Sequence, residues 1–242
     1  MDGMTSRIDR LTYAIGDIHG YDDLFERMVA RIRIDAEALN QTPRIVLLGD
    51  YVDRGPASRQ VLDRVQRLLA APWCDTIALM GNHEEALLRF LAEPDFGETW
   101  REWGGSATCA SYGVAMPYLA NSADIWDDTR DAFARAIEPQ HLAMLRAMPS
   151  SFQAGDYLFV HAGVNPDEPL AAQGPETFMY IRGRFLRAEK ACDYVVVHGH
   201  TPSEAPDNLP WRIGIDTGVY FTGVLTSVRL LGETRTLLQV GN

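Results

Sequence analysis

No stretch of this sequence stays apolar for the roughly 18 residues that a membrane-spanning helix needs, which argues against a membrane protein. The first ten residues, Met1 to Arg10, are polar and hold no apolar h-region, so no secretion signal is expected. Cysteine is scarce. Cys74, Cys109 and Cys192 form no Cys-x-x-Cys pair, which excludes a disulfide framework or a thiolate zinc site as the organising element. They read as small buried hydrophobes, and a reducing cytoplasm is the default compartment. Basic charge is short too: 22 basic against 33 acidic residues leave a net charge of −11, the wrong sign for nucleic acid. A phosphate substrate survives that argument, because bound divalent cations reverse the local potential. No repeat, low-complexity tract or linker breaks the 242 residues, so one α/β domain spanning 1–242 is expected.

What is present alternates. Leu11 to Ile15, Arg44 to Leu48 and Thr76 to Met80 are short apolar runs rich in β-branched residues, and Gly with a polar residue closes each. Amphipathic helical patterns follow all three, carrying Leu24, Phe25 and Met28, then Val61, Leu62 and Val65, then Ala86, Leu87 and Leu91. This βαβαβα order predicts buried parallel strands, whose ligands gather outside the carboxyl ends. From about Glu93 to Pro149, Gly and Pro punctuate short helices, the pattern of a helical cap inserted into the core. Strand character returns at Tyr157 to Val160, Tyr194 to Val197, Arg212 to Ile215 and Leu225 to Val240. The last should be an antiparallel ladder turning near Gly232-Glu233.

Five short motifs collect five of the six histidines: Gly16-Asp17-Ile18-His19-Gly20, Gly49-Asp50-Tyr51-Val52-Asp53-Arg54-Gly55, Gly81-Asn82-His83-Glu84, His161-Ala162-Gly163 and His198-Gly199-His200-Thr201. Asp17 and His19, two apart, would project the same way from an extended backbone and share one ion. Asp50 has two oxygens and could bridge two ions. Asn82 offers a neutral oxygen, and His161 and His200 offer imidazoles. Mixed N and O donors without thiolate suit Mn²⁺, Fe or Zn²⁺ better than Ca²⁺ or copper. Two such ions, roughly 3.5–4 Å apart, clamp a phosphoryl group and generate a hydroxide nucleophile for in-line attack. Arg54 suits bidentate phosphate contact. His83, beside Asn82, can face the leaving group, with Asp53 holding its other ring nitrogen.

Taken in order from Gly16 to Pro202, these motifs resemble those of the phosphoprotein phosphatases, the Ser/Thr phosphatases of the calcineurin-like metallophosphoesterase superfamily. The resemblance implies a β-sandwich of two sheets flanked by helices. It implies a first metal on Asp17, His19 and Asp50, and a second on Asp50, Asn82, His161 and His200, most readily manganese. It makes Arg54 and Arg182 the phosphate clamp, with Arg184 as the other candidate from Tyr180-Ile181-Arg182-Gly183-Arg184, and His83 with Asp53 the general-acid pair. Trp103-Gly104-Gly105, Ser111-Tyr112-Gly113 and Asp216-Thr217-Gly218 resemble the compact bacterial and phage branch, so no regulatory-subunit site carries over.

Other roles are plainer. His198 reads as supporting structure, His141 as a surface residue, and Glu84 as a helix start favoured by the dipole. Trp100, Trp103 and Tyr112 read as cap core. The leading expectation is hydrolysis of phosphorylated proteins or peptides. Symmetrical hydrolysis of diadenosine tetraphosphate is the alternative with the same chemistry, and a non-catalytic phosphate-binding module is the remote one.

Overall fold

The computed structural model describes residues 6–118 and 124–241. Residues 1–5 of the polar N-terminal stretch and 119–123 of the expected cap lie outside the described residues. The first half runs β1 (Ile8–Ile15), α1 (Asp22–Ala38), β2 (Arg44–Leu47), α2 (Ser58–Leu69), β3 (Asp75–Ala78) and α3 (Asn82–Ala92). Helices α4 (Gly97–Glu102), α5 (Gly105–Ser111), α6 (Ile125–Ala136) and α7 (Pro139–Ala147) follow. The second half runs β4 (Ser151–Ala154), β5 (Tyr157–Val160), α8 (Pro175–Tyr180), α9 (Gly183–Leu186), β6 (Val195–His198), β7 (Asp207–Asn208), β8 (Arg212–Gly214), α10 (Val219–Thr222), β9 (Val224–Gly232) and β10 (Thr234–Gly241).

These strands make two five-stranded sheets, ordered β10-β9-β1-β2-β3 and β4-β5-β6-β8-β7. β1, β2 and β3 are parallel, as are β5, β6 and β8, while β9 and β10 form the expected antiparallel ladder. Alternation along each strand feeds three apolar layers. Ala14, Val46 and Leu48 meet Tyr157, Phe159, Val195, Val197 and Ile213 between the sheets. Tyr13, Ile15, Ile45 and Leu47 face α1–α3, and Trp100, Trp126, Phe133 and Leu145 of the helical segment join that same core. Leu158, Val160 and Val196 turn outward to Phe178 and Phe185. Ile213 is fully buried between the sheets, so Ile213→Val should cost about 1 kcal/mol, read from a urea midpoint.

Strands β4 and β7 were not anticipated. Both are sheet edges, too short and polar to give an apolar run. His141 corrects the surface reading. It is buried on the face of α7 that also carries Leu145, with Nδ1 2.8 Å from the Tyr112 hydroxyl and Nε2 3.2 Å from Asp63. Docking of α7 on α2 turns that face inward.

Candidate active site

The carboxyl ends of β1, β2, β3, β5 and β6 deliver Asp17 and His19, Asp50, Asn82, His161 and His200 to one place. All six are buried. The backbone at His19 is not the extended one assumed for Asp17 and His19, and left-handed residues recur around the site. His19 has φ 46°, Asp50 55°, Asp53 72°, Arg54 69° and His200 64°. Left-handed conformations are unfavourable for residues with a Cβ and persist only where surroundings over-determine them. Here backbone hydrogen bonds do so: His19 and Ile18 N–H donate to Asp50 O, and Gly55 N–H donates to His19 O. Gly81 must lack a side chain, because a Cβ there would run into the Asp50 carboxylate.

Asp50 is the hub. Its Oδ1 lies 3.3 Å from His161 Nε2, and its Oδ2 lies 3.6 Å from His19 Nε2 and 3.8 Å from His83 Nε2. The carboxylate thus faces two clusters, one of His19, Asp50 and His83 and one of Asp50, His161 and His200. Asn82 completes the second, with Oδ1 2.9 Å from His161 Nε2 and 2.8 Å from His200 Nδ1. Asp17 stands apart from both tight groups and accepts the His200 N–H at 3.1 Å. In the first group His83 Nε2 lies near Asp50 instead. His198 packs edge-on to Phe185 and joins neither cluster.

The electrostatics ask for a cation. Burial, and then the charge of Asp216, push Asp17 well above the usual carboxylate range. Burial opposes ionisation of Asp50 as well, yet His161 and His83 hold it well below that range. Burial would discharge His161, but Asp50 outweighs it and raises its pKa to about 10. Burial lowers His19 to about 3. An ionised carboxylate ringed by imidazoles and an amide oxygen is a donor set for divalent metal, which takes over the nitrogens that protons otherwise occupy.

Above the clusters opens a cavity of about 270 Å³ lined by Arg54, Asn82, His83, Trp103, Tyr180, Arg182 and His200. Arg182 Nε donates to His200 Nε2 at 2.9 Å, whereas Arg184 points to an exposed pair with Asp167. The Arg54 guanidinium stacks 4.1 Å from the Tyr220 ring centroid. His83 Nδ1 meets Asp53 Oδ2 at 2.7 Å.

Several residues here have roles that the sequence does not announce. Trp103 packs partly buried against the core as expected, and because α4 ends beside His83 it also lines the cavity. Trp100 is buried as expected, but its Nε1–H donates to Asp53 Oδ2 at 2.9 Å. Glu84 does begin α3, and its carboxylate also accepts the backbone N–H groups of Asp50, Tyr51, Val52 and Gly81 at 2.7–3.2 Å. The four donors outnumber what a capping box needs, a surplus invisible in Gly-Asn-His-Glu alone.

Metal-dependent phosphoester hydrolysis is the class of reaction that this fold and site define. Residues 11–223 match the family model described as calcineurin-like phosphoesterase, and the chain belongs to that family. A bis(5'-nucleosyl)-tetraphosphatase PrpE [asymmetrical] of Anoxybacillus flavithermus is 25% identical over 89% of this chain and 88% of its own. A symmetrical bis(5'-nucleosyl)-tetraphosphatase of Janthinobacterium is 25% identical over 95% of each chain. A solved structure provisionally described as a diadenosine tetraphosphatase superposes with TM-score 0.62 over 100% of this chain and 97% of its own, at 18% identity, which shows the shared fold.

The expectation of a phosphorylated protein or peptide substrate is thereby overturned, because the matched relatives are named for dinucleoside tetraphosphates. The reason is physical. The motifs behind that expectation carry groups suited to a phosphoryl group and divalent ions, and such groups do not say what the phosphate is attached to. Among the described residues no helix is long and apolar enough to cross a membrane.

Proposed function

We propose that this protein hydrolyses dinucleoside tetraphosphates with two divalent metal ions. The observation that carries the reading is the near-full-length match to relatives named for that substrate, reaching 95% of both chains. The cavity supports it: two arginines with Trp103 and Tyr180 offer charge and aromatic surface side by side, as a nucleoside polyphosphate requires.

Asp17, His19 and Asp50 would hold one ion, and Asp50, Asn82, His161 and His200 the other, with manganese, iron or zinc fitting the donors. When bound, the ions supply Lewis acidity to the phosphoryl oxygens and acidify the attacking water. Arg54 and Arg182 bind and orient the phosphates. His83 gives its Nε2 proton to the leaving oxygen, and Asp53 keeps Nδ1 protonated and the ring in place.

The test is hydrolysis of diadenosine tetraphosphate by chelator-stripped protein with and without Mn²⁺, beside para-nitrophenyl phosphate. The expected result is Mn²⁺-dependent turnover with kcat/KM about a hundredfold or more higher for the dinucleotide. Two ADP would mark central cleavage, and AMP with ATP off-centre cleavage. Equal or better turnover of the aryl ester would sink the substrate assignment.

A further inference from the structure

We propose that Thr108 and Trp100 are positioning residues for proton donation, so that the helical segment, and not only the metal-bearing core, builds the acid. The inference rests on the reading that His83 donates a proton through an Asp53-held ring. Asp53, Thr108, Trp100 and Ser58 are all wholly buried.

The directions of the hydrogen bonds are fixed by chemistry. Thr108 Oγ1 lies 2.6 Å from Asp53 Oδ1, and a carboxylate cannot donate, so the single hydroxyl proton goes to Asp53. The same oxygen accepts the Asp53 N–H at 2.8 Å, and Ser58 Oγ stands 3.1 Å away to use its remaining lone pair. Trp100 Nε1, a donor only, reaches Oδ2 at 2.9 Å beside His83 Nδ1 at 2.7 Å. Three donors therefore hold the carboxylate, two of them from α4 and α5, and only the orientation that serves His83 satisfies all three.

The same segment also clamps the backbone. Asp53 and Arg54 are consecutive left-handed residues with φ 72° and 69°, a costly turn. Thr108 fixes the Asp53 N–H, and Gly104 O accepts the Arg54 N–H at 3.3 Å. In the step served, a water oxygen forms the new P–O bond, its surplus proton passing to solvent, while the old P–O bond breaks. The leaving oxygen takes the Nε2 proton, and His83 is left neutral with Nδ1–H still on Asp53.

The experiment compares wild type, Thr108→Val, Thr108→Ser, Trp100→Phe and His83→Asn on para-nitrophenyl and phenyl phosphate, whose leaving groups need little and much protonation respectively. Thr108→Val should lower kcat on the phenyl ester roughly tenfold more than on the nitrophenyl ester with KM unchanged. Thr108→Ser, which keeps the hydroxyl, should restore the ratio. Trp100→Phe should shift it in the same direction and covers the case in which the valine variant fails to fold. Metal-free protein gives a readout without turnover: the downfield proton resonance of His83 Nδ1–H should move in Thr108→Val and return in Thr108→Ser. Equal losses on both esters, or a serine variant as impaired as the valine one, would overturn the positioning role. If His83→Asn itself leaves the ratio unchanged, the general-acid reading is what fails.

Discussion

Replacing His83 with Asn should lower turnover by roughly 10²–10⁴ while the metal content stays that of the wild type. Three contacts separate these effects. The His83 backbone N–H donates to Asp50 Oδ1 at 3.1 Å, and the substitution keeps it, so the shared carboxylate stays oriented. The side chain is what changes: its Nδ1 bond to Asp53 at 2.7 Å and its Nε2, 3.4 Å from Arg54 at the cavity wall, are both lost. Burial works against a charged His83, but Asp50 and Asp53 outweigh it and its pKa is raised, as an acid requires. The loss should fall on kcat rather than KM, since proton donation is felt only in the transition state. Metal analysis beside steady-state kinetics checks it. Unchanged turnover would remove His83 from the chemistry, and lost metal would make it a ligand, a role its place beside His19 and Asp50 allows.

The second large effect is on stability. Glu84→Ala should destabilise the fold by about 4 kcal/mol, since it strips partners from four buried backbone donors at no less than about 1 kcal/mol each. For a chain of this size that lowers Tm by roughly 8–16 °C. Burial, and then the nearby Asp50, push the Glu84 carboxyl up to about 7, so the group is held there by its four donors against both. Glu84→Gln should recover little, because an amide presents N–H groups to N–H groups on one side. Thermal melts of the three proteins decide the matter. A loss under about 1 kcal/mol would mean that water satisfies the freed groups.

How much of this was legible depends on where each residue gets its partners. Asp50, Asn82, His161 and His200 could be read from sequence because parallel strands carry their carboxyl ends to one edge, and polar residues there have few other reasons to exist. The resemblance favours Arg182 over Arg184, and the structure agrees by placing Arg182 on the cavity and Arg184 in an exposed pair with Asp167. Thr108 and Trp100 were illegible, since a hydroxyl and an indole on short helices look like packing until the carboxylate they face is known. His141 misled because α7 is apolar on more than one face, so periodicity did not say which side turns inward. The substrate is not legible in the motifs, because groups that bind a phosphoryl group and metal ions serve enzymes of different substrates.

The clusters also take their parts from opposite ends of the chain. His161 Nδ1 bonds Leu48 O across 113 residues, and the His200 N–H reaches Asp17 across 183. Asn82, Asp50 and His19 come from one sheet's strand ends, and His161 and His200 from the other's. The site is therefore a seam, closed only once both sheets have docked face to face. A chain emerging from the ribosome, finished only as far as α7, would hold Asp50 and Asn82 with His19 and His83 but without His161 and His200 from the other sheet. Activity in such a protein therefore reports that both sheets have folded and docked, and ions seated in the seam would resist its reopening.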